Sequence, residues 1–157
     1  MKPLPREGGY YVETYRAAEK ITQAELPQRY SAARHYSTAI LYLLTPDTFS
    51  SLHKLTSDEI YHFYLGDPVT MLQLHPNGSS EIINLGHNII NGQRVQVTVP
   101  RDTWQGVFLK KGGKFALMGT TTSPGFEFDD FESAHQDKLL QKYPDRRDLI
   151  LKLTQHK

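Results

Sequence analysis

The stretch 49–68, FSSLHKLTSDEIYHFYLGDP, constrains the fold of this chain more than any other part of the sequence. Two runs of strand-forming residues lie on either side of a short polar turn at 56–58. Side chains alternate between the two faces of a strand, so a hairpin with a three-residue turn would place His53, Glu59 and Tyr61 on one face. The stretch therefore predicts two paired strands that present a polar face to the interior of a β-rich domain.

Short strand-like runs separated by turn residues continue along most of the chain, about nine or ten in all. The Asn77-Gly78 pair lies between two such runs and predicts a hairpin, because this dipeptide favours the turn that joins antiparallel strands. Runs at 103–109 and 114–121 predict another hairpin. The order predicts a single all-β domain, an antiparallel sandwich or jelly roll, with a barrel over about 8–128 and a short helical tail over about 132–156.

The charge and composition of the chain exclude several classes of function. Lysine and arginine number 18 against 17 aspartate and glutamate residues, with no block of like charge, so nucleic acid and membrane surfaces are not expected partners. The absence of cysteine excludes disulfides and thiolate catalysis. The longest apolar run, 39–44, is too short to cross a bilayer, and the first residues lack the apolar core of a signal peptide. A cytoplasmic protein is expected.

The spacing of three residues in the stretch 49–68 resembles the first motif of the cupin superfamily, G-x5-H-x-H-x3 or x4-E-x6-G. His53, Glu59 and Gly66 keep that spacing. Asp47 stands where the leading glycine would be, and Leu55 stands where the second histidine would be. The resemblance implies a double-stranded β-helix, which is the jelly-roll barrel of the cupins.

The second cupin motif, G-x5-P-x-G-x2-H-x3-N, is matched at Pro100, while Asp102 replaces a glycine and Gln105 replaces the histidine. A typical cupin metal site has three histidines and a glutamate, which suits a divalent transition metal. Here only His53, Glu59 and Gln105 stand at ligand positions, and a neutral glutamine oxygen is a poor ligand. The resemblance therefore implies no cofactor, or at most a weakly bound divalent metal.

Further segments resemble one subfamily of largely uncharacterised cupins and extend the likeness over nearly the whole chain. Val12 stands where that subfamily often has an arginine before its first Glu-Thr pair, which argues against an anion-binding role at this corner. The resemblance implies a barrel that is usually a dimer and is related in shape to the deoxysugar epimerases. The segments are EGGYY at 7–11, ETY at 13–15, STAI at 37–40, DEIYHF at 58–63 and SPGFEFDDFE at 123–132.

The deoxysugar epimerases of the superfamily suggest an acid–base interpretation of the same residues. Those enzymes use a histidine base and a tyrosine acid without a metal, and the SLH tripeptide that ends at His53 is similar to the segment that carries their base. The resemblance implies that His53 is the base and Tyr61 the acid. A carboxylate beside an imidazole fixes its tautomer and raises its basicity, and Glu59 or an aspartate of 127–130 is expected in that role.

Four other residues are candidates for binding the ligand. Gln105 is expected beside the catalytic group, and Arg94 is a candidate cation for an anionic part of a substrate. Glu127 and Asp129 lie in an acidic run whose interleaved phenylalanines indicate that it is pinned to the barrel.

The leading hypothesis is a cupin with a small-molecule pocket inside the barrel, acting as a metal-independent isomerase or epimerase on a polar or sugar-like ligand. One alternative is a non-catalytic, ligand-binding or storage-like cupin. Another is a metal-dependent oxygenase or isomerase with a degenerate His/Glu/Gln site. Loss of turnover in a variant at His53 would separate the first from the second, and metal analysis would test the third.

Apolar residues on the outer face of the barrel predict a homodimer. Ile60, Tyr64, Trp104 and Phe108 would project away from the interior, as would His62. A monomer seldom leaves such a patch uncovered, although the helical tail could cover part of it.

Overall fold

The computed structural model describes residues 1–154. Its strands form two antiparallel sheets packed face to face, followed by two short α-helices. The helices are α1 (Gln136–Lys142) and α2 (Arg147–Leu153). Single 3-10 turns occupy Gln23–Glu25, Ile89–Asn91, Phe128–Asp130 and Pro144–Arg146. The strands of the described residues are β1 (Lys2–Pro3), β2 (Tyr10–Arg16), β3 (Lys20–Ile21), β4 (Arg34–His35), β5 (Thr38–Leu44), β6 (Phe49–Leu55), β7 (Glu59–Gly66), β8 (Val69–Leu74), β9 (Ser80–Leu85), β10 (Gln96–Val99), β11 (Trp104–Leu109), β12 (Ala116–Thr122) and β13 (Phe131–Ser133).

The first sheet has the strand order β1-β2-β5-β12-β7-β10, and the second has the order β13-β6-β11-β8-β9. Strands β3 and β4 form a separate ribbon. The arrangement is a jelly roll, so the predicted all-β class with a short C-terminal helical region is confirmed. The sheets extend beyond the predicted barrel range of 8–128 at both ends, because β1 begins at Lys2 and β13 ends at Ser133. Residues 155 and 156 of the predicted tail lie outside the described residues.

The two sheets enclose the main hydrophobic core. Inward-facing residues of β7 are buried and its outward-facing residues are more exposed, so the predicted alternation along this strand is confirmed. The Asn77-Gly78 hairpin is also confirmed, since β8 and β9 pair along their whole length. Core residues that are at most 1% exposed include Tyr42, Leu44, Tyr61, Met71, Leu85 and Met118.

A second apolar cluster lies between the outer face of the second sheet and the helices α1 and α2. Leu52 and Leu72 of the sheet are packed with Ile150 of α2, and Trp104 and Phe108 pack against the same cluster. Trp104 and Phe108 face outward as predicted, but they are not part of an uncovered patch, because the C-terminal helices cover them. No helix of the described residues is long and apolar enough to cross a membrane.

Two of the predicted hairpins are wrong. Strands β6 and β7 belong to opposite sheets, and so do β11 and β12, so each of these short loops crosses from one sheet to the other. His53 therefore pairs with Gln105 of β11 and not with Tyr61. Tyr61 pairs instead with Val97 and Thr120 in the first sheet. The residues predicted to share one face of a hairpin are consequently on the facing inner surfaces of two sheets.

Candidate functional site

A cavity of about 240 Å³ lies between the two sheets. It is walled by strands of the first sheet, by β6 of the second, by the N-terminal segment and by the segment that ends in β13. Its polar side chains converge from different parts of the chain. The lining residues are Leu4, Pro5, Glu7, Tyr11, Glu13, Arg16, Thr38, Ile40, His53, Leu55, Glu59, Thr120, Thr122, Phe126, Glu127, Phe128 and Phe131.

His53 is held in one orientation inside this cavity and is 2% exposed. Its Nδ1 lies 2.7 Å from the carbonyl oxygen of Ser51, and since a carbonyl only accepts, Nδ1 carries the proton. The Nε2 atom then presents a lone pair in the neutral ring and lies 3.8 Å from Oε2 of Glu7. The ring stacks on Phe131, with centroids 4.7 Å apart.

A register irregularity in β6 aims His53 into the cavity. The strand pairs Gln105 with His53 but Val107 with Ser50, so β6 has one extra residue over this interval. Such a bulge changes which face each side chain takes. Ser50 and His53 are consequently both directed inward although they are three positions apart, while Leu52 packs against the helices.

Glu7 is a functional candidate that the sequence reasoning missed. Its carboxylate is 9% exposed and accepts a hydrogen bond of 2.7 Å from the Ser50 hydroxyl. The Ser51 amide donates to the Glu7 carbonyl at 2.8 Å, which fixes the N-terminal segment to β6. The following Gly8 has φ of 102°, and a Cβ there would clash with the Phe49 carbonyl oxygen. A glutamate followed by two glycines was the available signal, because the turn that directs Glu7 inward requires glycine.

Glu59 lines the cavity at the start of β7 and is 7% exposed. Burial raises its pKa, and the nearby Glu7 carboxylate raises it further. The charge of His53 and hydrogen bonds from Thr120 and Gln105 act in the opposite direction. The Gln105 amide nitrogen donates to Oε2 of Glu59, while its Oε1 is buried without a partner among the described residues.

The mouth of the cavity is held by one arginine between two carboxylates. Arg16 donates to both carboxylate oxygens of Glu13, at 3.0 and 2.8 Å, and to Oε1 of Glu127 at 2.6 Å. An irregularity in β2 lets Glu13 and Arg16 both line the cavity although they are three residues apart. Glu127 therefore lies at the predicted site, whereas Asp129, in the same acidic run, is exposed and is not among the lining residues.

Three other predicted residues, Tyr61, Arg94 and Gln105, are not among those that line the cavity. Tyr61 is 1% exposed and is not among the lining residues; burial and the charge of Glu59 raise its pKa well above the ordinary value. Arg94 is not a lining residue either, because its guanidinium reaches Glu81 at 2.9 Å on an exposed surface. Arg34 is enclosed in a buried ion pair with Asp130 and does not line the cavity either.

The residues at the cupin metal positions do not fit a metal. Leu55 cannot ligate, and Gln105 directs its amide nitrogen toward Glu59. No group of three or more histidine, aspartate or glutamate side chains within residues 1–154 could hold a metal ion.

A double-layered jelly roll with a polar cavity between its sheets defines the protein as a cupin. Residues 1–134 match the family model described as Cupin superfamily (DUF985), and the chain belongs to this family. The predicted resemblance to the cupins is thereby confirmed.

Several relatives are similar to this chain. The uncharacterized protein YML079W of Saccharomyces cerevisiae is 31% identical over an alignment of 134 residues. The match covers 80% of this chain and 66% of the yeast protein, just under two thirds of its length. Protein SO0799 of Shewanella oneidensis is 32% identical with a TM-score of 0.83, covering 96% of this chain and 89% of that one. A hypothetical protein from Leishmania major is 29% identical with a TM-score of 0.85, covering 99% and 93%.

The fold is also similar to that of oxalate decarboxylase. The structure from Bacillus subtilis is 14% identical with a TM-score of 0.54, and covers 94% of this chain and 40% of that one. At this level of identity the likeness concerns the fold alone.

Proposed function

We propose that this protein is a metal-independent acid–base enzyme, of the isomerase or epimerase type, that acts on a small polar or sugar-like ligand inside the barrel. His53 is the base and Glu59 the acid. The observation that carries the proposal is the presence, on one cavity, of an imidazole with a fixed tautomer and a carboxyl whose surroundings favour its protonated form.

The position of His53 suits a base. The Ser51 carbonyl holds the Nδ1 proton, so the Nε2 lone pair is the only basic site of the neutral ring. Stacking on Phe131 restricts rotation of the ring. Oε2 of Glu7, 3.8 Å from Nε2, would stabilise the imidazolium that forms when the base takes a proton. Glu7 therefore takes the role that the sequence assigned to Glu59.

Glu59 is better placed than Tyr61 to act as the acid, because it lines the cavity and Tyr61 does not. Its raised pKa favours the protonated carboxyl that a general acid needs. Tyr61, behind the cavity surface, would act on a substrate only through intervening groups.

The proposed reaction moves one proton at a time and needs no other reactant. His53 Nε2 removes a proton from a carbon next to a carbonyl, and Glu59 gives its proton to the carbonyl oxygen, which forms an enol. In the return step the His53 imidazolium gives its proton to the other carbon and Glu59 takes the hydroxyl proton from the enol, which gives the isomer and restores both groups. An epimer would form when the enol turns in the cavity and the His53 imidazolium returns its proton to the opposite face of the same carbon, while Glu59 takes back the hydroxyl proton. Proton transfer by one positioned acid or base contributes roughly 10²- to 10⁴-fold to the rate of a reaction.

Deuterium uptake from solvent tests the proposal on a whole mixture of metabolites, so that no single substrate has to be chosen. The purified protein is incubated in D₂O with a deproteinised metabolite extract, and mass spectrometry identifies any metabolite that gains deuterium only when the protein is present. An enzyme that forms an enol must exchange a carbon-bound proton with solvent in at least part of its turnovers. We expect the wild type to label a small polar metabolite and His53→Asn to lose this activity.

His62→Asn is the matched control, because His62 lies in the same stretch but on the outer face of the first sheet, next to Gln96. It should label the metabolite as fast as the wild type. A wild type that binds a metabolite without labelling any would establish the non-catalytic alternative and refute the enzyme. Equal labelling by His53→Asn and the wild type would remove His53 from the mechanism.

A homodimer in the cytoplasm remains part of this proposal. The outer face of the first sheet is not covered by the helices, which pack on the second sheet. Tyr64 and Val12, on that face, are 44% and 38% exposed, with Ile60 half-buried beside them on the same surface. An apolar face of this kind supports association of two copies.

A further inference from the structure

We infer that the ligand of this cavity carries a positive charge and is a small organic ammonium compound, such as an amino sugar or amino polyol. The inference rests on the proposed function in one respect, since it takes His53 to be the neutral base. It is carried by the charges and rings that line the cavity. Among the described residues that line the cavity, the buried carboxylate of Glu7 has no permanently charged partner. The one lining cation, Arg16, is already paired with two carboxylates and is not free for an anionic ligand.

At the mouth, the guanidinium of Arg16 is paired with two carboxylates. It makes a two-point contact with Glu13, a third hydrogen bond with Glu127 and a fourth with the Phe126 carbonyl, so one positive charge faces two negative ones. A carboxylate or phosphate entering the cavity would have to displace one of these partners. An ammonium group meets an excess of negative charge instead, and exposed charges of this kind guide a ligand inward.

Inside, Glu7 has no permanently charged partner within the described residues that line the cavity. Its carboxylate receives one hydrogen bond from a neutral hydroxyl, that of Ser50, and lies 3.8 Å from His53. Glu59, the other interior carboxyl, has a raised pKa and needs no cation when it holds its proton. Burying a carboxylate without a compensating charge is costly. A cationic ligand would supply that charge at Glu7.

Aromatic rings complete an environment suited to a cation. Tyr11, Phe126 and Phe128 line the cavity together with the engaged arginine, and Phe128 is 40% exposed. Ring faces attract ammonium groups. The Tyr11 ring already has the ammonium of Lys2 at 5.4 Å from its centroid. Lys2 itself is exposed, so water screens its charge from the interior.

The size of the cavity limits the ligand to a small metabolite. Its 240 Å³ is below the range of about 300–1,000 Å³ that is usual for drug-sized ligands. A nucleotide-linked substrate would also need cations for its diphosphate, and Arg94 and Arg34 are not on the cavity. A single ring or short chain bearing one ammonium group fits both the volume and the charge.

Matched probes test the charge directly. Binding of glucosamine, glucose and glucuronate is compared by ligand-observed NMR at pH 7, and a second set consists of benzylammonium, benzyl alcohol and benzoate. We expect the ammonium member of at least one set to bind and the carboxylate member not to. Glu7→Gln, which keeps an acceptor for Ser50, should weaken ammonium binding at least tenfold. Glu127→Gln should weaken it roughly two- to fivefold.

Glu81→Gln is the matched control, since Glu81 is exposed and paired with Arg94 away from the cavity, and it should not change binding. Melting curves establish that each variant is folded, and Glu127→Gln decides the question if Glu7→Gln does not fold. Carboxylate binding as tight as ammonium binding, or no ammonium binding in either set at millimolar concentration, would overturn the inference.

The two proposals fail separately. If ammonium probes bind through Glu7 but no metabolite gains deuterium, the cation site stands and the enzyme does not. If His53 is required to label a neutral or anionic metabolite, the enzyme stands and the cation site does not.

Discussion

One wall of the cavity is the segment that carries Glu127 and Phe131. Asp130 of this segment forms a buried ion pair with Arg34, and the position of the wall depends on that pair. Arg34 donates to both oxygens of Asp130 at 2.8 Å, and the two side chains are 1% and 3% exposed. The guanidinium also donates to the carbonyls of residues 32 and 33. Since Asp130 directly precedes the strand whose Phe131 stacks on His53, this pair fixes the wall relative to the ring of His53.

Arg34→Met leaves the carboxylate of Asp130 buried without its cation. Removing one partner of a buried pair costs about 3–5 kcal/mol of stability, because the remaining charge stays uncompensated. For a chain of this length, 1 kcal/mol lowers the melting temperature by roughly 2–4 °C, so Tm should fall by roughly 6–20 °C. The double variant Arg34→Met/Asp130→Leu removes both charges and should lose less stability than the single variant.

Urea unfolding followed by circular dichroism gives these free energies. Arg94→Met is the matched control, because its pair with Glu81 is about half exposed on both sides, and it should change stability by less than about 1 kcal/mol. A loss below about 1 kcal/mol for Arg34→Met would refute the reasoning. So would a double variant that is no more stable than the single one. In the folded fraction, we also expect slower deuterium labelling, since the wall positions the ring of His53.

Two further predictions concern Glu59 and the outer face of the first sheet. The folded protein holds the Glu59 proton more tightly than the unfolded chain does, so the stability of the wild type relative to Glu59→Gln should fall as pH rises from the ordinary value of 4.5 toward the raised folded pKa. Urea titrations across this range measure the difference, and parallel curves would contradict it. Ile60→Lys should reduce the mass in light scattering from dimer to monomer, whereas Ile90→Lys, at a site 98% exposed, should not. An unchanged mass for Ile60→Lys would exclude this face as the interface.

The direction of each side chain along β7 was predictable from sequence, but its pairing partner was not. Alternation is a local property of a strand, so the inward positions of Glu59 and Tyr61 follow from their spacing. Pairing is a property of the whole sheet, and a turn at 56–58 is compatible both with a hairpin and with a crossover between sheets. In a jelly roll the crossover occurs, which places His53 opposite Gln105.

Glu7, the carboxylate beside His53, could be placed in the site only from the structure, for a related reason. It is 46 positions before His53, and the hydrogen bonds that bring the two together run through Ser50 and the Ser51 amide. Long-range contacts of this type depend on how the N-terminal segment packs on β6. The two glycines that follow Glu7 indicated a special backbone conformation but not what the conformation is for.

The residues at the cupin metal positions and the raised pKa of Glu59 both act against metal binding. A carboxylate that ligates a metal must be ionised. Here the ligand positions hold Leu55 and Gln105, and the burial of Glu59, together with the charge of Glu7, favours the protonated carboxyl. The same surroundings that make Glu59 a poor metal ligand therefore make it a suitable proton donor. The arrangement at the first motif therefore fits the proposed acid–base roles of His53 and Glu59 better than it fits a metal site.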